Sequence, residues 1–115
     1  MKKFIKIVVT ITVLFFSIAS AQTTTLSDAT IKVYGNCETC QRRIEKAAKK
    51  VKGVESAQWD SKSKMLMLKY DSTQTSEKEV EEKIALAGHD TKNQKASDKA
   101  YNDLPGCCQY ERKKQ

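Results

Sequence analysis

The apolar residues of this chain switch between two spacings, and the order of the switches leaves few folds open. From Ala29 to Gly35 they alternate, with Ile31 and Val33 on one face and Thr30, Lys32 and Tyr34 on the other, the mark of a half-buried strand. From Glu38 to Val51 the residues Cys40, Ile44, Ala47 and Val51 recur at offsets of four, three and four, one stripe of an α-helix, which Lys52 and Gly53 end. VESAQW (Val54 to Trp59) and MLMLKY (Met65 to Tyr70), joined by the polar turn DSKSK, read as an antiparallel hairpin with Leu66, Leu68 and Tyr70 on one face. Ser76 and Glu79 form a capping box that opens a second helix, with Val80, Ile84 and Ala87 on its inner face and Gly88 as its stop. The order is β-α-β-β-α, an α+β pattern. HDTKN (His89 to Asn93) is poor in strand formers, yet a short fourth strand there, at a sheet edge, would complete a split βαβ sandwich. The expected fold is therefore a ferredoxin-like βαββαβ sandwich, a four-stranded antiparallel sheet with two helices on one face.

Compartment decides which cysteine chemistry is open. Met1 to Ala21 begins with Lys2, Lys3 and Lys6, continues through the apolar run IVVTITVLFFSI and ends in the small residues Ala19, Ser20 and Ala21. This reads as a secretory signal cleaved before Gln22, since the run is shorter than the roughly 20 residues a bilayer span needs. The expected product is periplasmic or secreted, with no stable membrane association once cleaved. Losing three lysines and no acids takes the formal charge from +7 to +4, so much of the basic character belongs to the signal. The remainder, 115 residues less 21, or 94, supports one small domain. It divides into a polar lead at 22–28, a domain at 29–93 and a C-terminal tail at 94–115. Nucleic acid is not an expected partner, because the chain is exported and lacks the aromatic strand motif of the similarly folded RNA-recognition domain.

All four cysteines, Cys37, Cys40, Cys107 and Cys108, lie in the exported part, where disulfides have to be weighed beside metals. Cys37 and Cys40 stand between a strand and a helix, and the N–H groups and positive dipole end of a helix start favour thiolate over thiol. Two thiolates on such a turn suit Cu(I) or Hg(II) better than Zn(II), which wants four ligands. A redox pair and a structural disulfide are the other readings. A thioredoxin-like site would want a larger fold and a proline facing the CxxC, and the sole proline, Pro105, lies in the tail. A Cys37–Cys40 disulfide would close a very small ring with little loop entropy to remove.

Val33 to Cys40, followed by GVESAQW and IALAGHD at these intervals, resembles the heavy-metal-associated domain of copper chaperones, metal-transporting ATPases and the exported mercury-binding protein. The resemblance covers about Ala29 to Asn93. It implies the βαββαβ sandwich, metal binding by Cys37 and Cys40, and no enzymatic activity. It also implies ion exchange with a donor or acceptor protein, such as a transporter or efflux component. The cargo it implies is Cu(I), with Hg(II) or Zn(II) as alternatives; a thiol-disulfide oxidoreductase is the alternative from another class. The family's usual methionine two positions before the first cysteine is Gly35 here, and its loop threonine or histidine is Asn36.

Three further features bear on the site. His89, the chain's single histidine, follows the second helix at the same end of the sandwich as the cysteine loop. It reads as a supporting group, a third ligand or a solvated loop residue. Cys107 and Cys108 lie beyond the family domain. The 13 residue steps from Gln94 to Cys107, at ~3.3 Å each, reach roughly 40 Å against a small domain's ~25 Å, so the tail can return. Added metal ligation, a disulfide within the tail or to the CxxC, and inert thiols all remain open. Met65 and Met67 face outward on the hairpin. Arg42, Arg43, Lys46, Lys49 and Lys50 line the first helix, either steering an acidic partner or forming a solvated face.

Overall fold

The computed structural model describes residues 25–112, so the signal expected at 1–21 and the last three residues of the tail lie outside it. Among the described residues no helix is long and apolar enough to cross a membrane. The elements run β1 (Leu26–Lys32), α1 (Glu38–Lys49), β2 (Val54–Trp59), β3 (Met65–Asp71), α2 (Glu77–Leu86) and α3 (Asp98–Asn102), followed by a 3-10 turn at Gly106–Cys108. The sheet is antiparallel with order β1-β3-β2.

The patterns locate the elements with shifts at their ends: β1 starts at Leu26, inside the expected polar lead, and stops at Lys32 rather than Gly35, and α2 buries Val80 and Ile84 with Ala85 in place of the half-buried Ala87. In β1 the inward residue Ile31 is 3% exposed, and Val33, just beyond the strand, is fully buried. Leu66 and Leu68 face inward from β3 opposite Trp59 and Ala57 of β2. The register shifts between Val54 and Ser56, a β-bulge that lets Val54 pack against the core on the same face as Ala57, three positions on. α1 buries Cys40, Ile44 and Ala48, with Ala47 and Val51 packed at the margin, so the deepest line passes through Ala48 where Ala47 was expected. Ser76 caps α2 by accepting from the Glu79 N–H at 3.3 Å. The Glu79 carboxylate accepts instead from the Thr75 hydroxyl at 2.8 Å, so only half of the expected capping box forms.

The expected fourth strand is reduced to one bridge, Val33 to Thr91, on the free edge of β1. Tyr34 N donates to Asp90 O at 2.9 Å and Lys92 N to Lys32 O at 3.0 Å, and then the chain leaves the edge. Thr91 explains why. Its N–H donates to Gln94 O at 2.8 Å and its hydroxyl accepts from Gln94 N at 3.0 Å, closing a turn. Glu81, 2% exposed on α2, accepts from the Thr91 hydroxyl at 2.6 Å and from Asn93 N and Nδ2 at 3.2 Å. Among the described residues the sheet therefore has three strands, and the chain doubles back before reaching the far end of the edge. That reversal positions the tail.

Candidate metal centre

Val33 to Asn36 link the sheet edge to α1, and Cys37 is the residue that caps the helix. Its side chain makes no capping hydrogen bond, which leaves the sulfur at the positive end of α1 for other partners. Cys40 sits in the first turn on the buried stripe and is fully buried. Trp59 forms the floor beneath the loop, 2% exposed, with Nε1 donating to Val33 O at 3.0 Å. A Cβ at Gly35 would stand 3.1 Å from both Cys40 Cβ and the Trp59 ring. The space a larger side chain would take at Gly35 is thus filled from β2.

The sulfurs of Cys37 and Cys40 are 3.7 Å apart. The Cys108 sulfur joins them, and the three ligand atoms all lie within 4.8 Å of one another. All four cysteines are free thiols. The Cys40 backbone N–H exerts the largest pull on Cys37 and, against the opposing effect of burial, brings its thiol down to about 7, with smaller help from the Cys40 side chain, the Thr39 N–H and the Cys108 side chain. Burial pushes the Cys108 thiol up to about 12, and the neighbouring Cys40 and Cys107 thiols add to the shift.

The tail reaches this loop by a docked path. Ala96 N donates to Asp90 Oδ1 at 2.7 Å, Ser97 caps α3, and Leu104 packs against Gly88. Gly88 has φ +107°, and a Cβ there would meet Ala100 O at 2.8 Å, so helix stop and tail docking need the same glycine. Tyr110, 2% exposed, donates to Gly88 O at 2.9 Å and accepts from Asp90 N at 2.7 Å. Its ring stacks on His89 with centroids 5.4 Å apart and meets Tyr101 edge-on at 5.1 Å. Arg112 grips the Asp90 carboxylate with Nε and Nη2 at 3.0 and 2.9 Å and bonds Asp98 at 2.9 Å.

His89 is fully buried, not solvated. Its Nδ1 donates to Tyr34 O at 2.8 Å, bracing the strand end that leads into the cysteine loop. Nε2 has no partner, and burial holds the ring below its usual range, so it is neutral at pH 7. His89 does not belong to the three-sulfur group. Cys107 is exposed; its sulfur lies 3.8 Å from that of Cys108, and its carbonyl accepts from the Cys37 thiol at 3.4 Å. Met65 and Met67 lie on the sheet face away from the helices, with Met67 59% exposed. Arg42, Lys46, Lys49 and Lys50 are exposed, whereas Arg43 turns Nη1 into a buried, unpartnered position. The sequence pattern pointed to no site role for Trp59 or Arg112. The signal available was the spacing of a tyrosine and an arginine just after the vicinal cysteines.

No curated protein matches the chain by sequence. Among solved structures, oxidized MerP from Ralstonia metallidurans CH34 is similar at 25% identity and TM-score 0.57, the match covering 61% of this chain and all of that one. The water-soluble region of the P-type ATPase CopA from Bacillus subtilis is similar at 28% identity and TM-score 0.55, over 59% of this chain and 46% of that one. The CopZ metallochaperone shares the fold at 24% identity and TM-score 0.55, over 56% of this chain and 98% of that one. The heavy-metal-associated domain profile matches residues 30–90, the stretch that carries the cysteine loop, the hairpin and the second helix. With that match spanning more than half of its length, the chain belongs to the heavy-metal-associated domain family.

Proposed function

We propose that this protein is an exported, non-enzymatic carrier of a soft metal ion, Cu(I), held by the thiolates of Cys37 and Cys40 and sequestered or relayed to a partner. The observation that carries the reading is the sulfur pair 3.7 Å apart at the start of α1, with the Cys37 thiol drawn down to about 7. A thiolate near neutrality binds without a large proton cost, and two sulfurs with no competing hard ligand select a soft ion. The similarity to a metallochaperone and to a P-type ATPase region supports a partner that offers its own cysteines, such as a transporter or efflux component. Transfer is ligand exchange without electron transfer. An incoming partner thiolate forms a bond to the ion as the Cys37–metal bond breaks, Cys40 follows, and the released thiolates regain protons from water.

The N-terminal pattern Lys2 to Ala21 supports export, with cleavage before Gln22, and the functional unit is then the domain at 29–93 together with the docked tail. An intact mass beginning at Gln22 in the soluble periplasmic fraction is the expected result; a soluble chain that retains Met1 to Ala21 would remove this part of the reading. For the site itself, competition with a Cu(I) chelator under reducing conditions is decisive. Cys37→Ser and Cys40→Ser each lose most of the affinity. Parent-like affinity in both variants would take the CxxC out of the site, and tight Hg(II) binding with weak Cu(I) binding would replace the cargo.

A further inference from the structure

We propose that Cys108 is a third sulfur ligand of the same ion, delivered by a tail that the fold holds in place, so that the site is trigonal. The inference rests on the carrier reading above and goes beyond it, because the tail lies outside the matched domain at 30–90. Geometry points to it first. With metal–sulfur bonds of about 2.3 Å, two sulfurs in a linear site stand about 4.6 Å apart, and three in a trigonal plane stand about 4.0 Å apart. Cys37 and Cys40, at 3.7 Å, stand too close for the linear arrangement and nearer the trigonal one. An ion bonded to both would be bent and open on one side, and the Cys108 sulfur lies within 4.8 Å of each of them.

Burial points the same way. Cys40 and Cys108 are both fully buried and Cys37 partly so, which leaves the ion one accessible flank. Nor is the tail a loose tether. Cys108 N donates to Pro105 O at 2.8 Å, and the 3-10 turn rests on α1. Two residues on, Tyr110 is fixed to Gly88 and Asp90, and Arg112 closes the arm on Asp90. The ordering entropy of the third ligand is met by folding, so the ion gains a bond without freezing a flexible segment. The consequence for transfer is that a partner has three metal–sulfur bonds to displace. Binding adds no redox step: the Cys108 S–H proton leaves to solvent as the metal–sulfur bond forms.

X-ray absorption on the reduced full-length chain, loaded with one equivalent of Cu(I), tests this directly. The parent is expected to show three sulfur neighbours, C108S two, and C107S three. Chelator competition should show C108S weakened by about tenfold or more, the scale on which disrupted metal sites lose affinity, with C107S close to the parent. Two sulfur neighbours in the parent would overturn the proposal whatever the fold of the variants. An unchanged count in C108S would overturn it as well. Neither result touches the dithiolate reading, which fails separately if Cys37→Ser and Cys40→Ser both retain copper.

Discussion

Trp59 and Gly35 act as one unit under the cysteine loop. The indole occupies the room that a side chain at Gly35 would need and ties the end of β1 through its bond to Val33 O. Replacing Trp59 by alanine opens a cavity directly beneath Cys40. The expected loss is about 3–5 kcal/mol of stability, the range for a buried aromatic, with weakened Cu(I) binding because the loop loses its floor. Urea denaturation read by circular dichroism, paired with chelator competition, checks both. A tryptophan at the end of the first strand of the hairpin was visible in the sequence as a strand residue. That its ring fills the space beside Gly35 was not, because the two positions meet only in the folded chain.

Among the elements, periodicity located β1, α1, the hairpin and α2 because each buries one face against the same core and so keeps a regular apolar spacing. The edge strand failed for a complementary reason. Its one well-paired residue, Thr91, is also the hinge of a turn held by Glu81, and that side-chain competition has no periodic trace. The turn after β3 yields a pH prediction. Asp71 accepts from the Thr73 hydroxyl at 2.6 Å and N–H at 2.9 Å, and from Gln74 Nε2 at 2.8 Å, which hold its carboxyl below the usual carboxylate range, the Thr73 hydroxyl most of all. A depressed folded value means that its stabilisation is fully present above the unfolded value of about 3.9 and is lost as pH falls through the folded one. Unfolding free energies measured across the acid range should fall less steeply in Asp71→Asn than in the parent.

For the molecule as a whole, the tail is part of the core. Leu104, Cys108 and Tyr110 are buried with the residues of the sandwich, and Tyr110 satisfies two backbone groups at once. Tyr110→Phe keeps the ring and leaves Gly88 O and Asp90 N without their partner; the expected cost is about 1–3 kcal/mol, measurable by urea denaturation. The sequence allowed such a tail by its reach and by its cysteines, but docking depends on Tyr110 over His89 and Arg112 on Asp90, contacts between distant residues with no local pattern. The same docking brings Cys108, and not the sulfur of Cys107, into the cluster with Cys37 and Cys40.

The central claim, that the cysteine loop carries a soft metal ion, is tested most directly by isolating the protein anaerobically from the periplasm and measuring its intact mass, bound metal and thiol state together. One copper per chain, no disulfide, and loss of the metal in Cys37→Ser and Cys40→Ser are expected. Metal-free protein with a Cys37–Cys40 disulfide that exchanges with other dithiols would contradict it and identify an oxidoreductase.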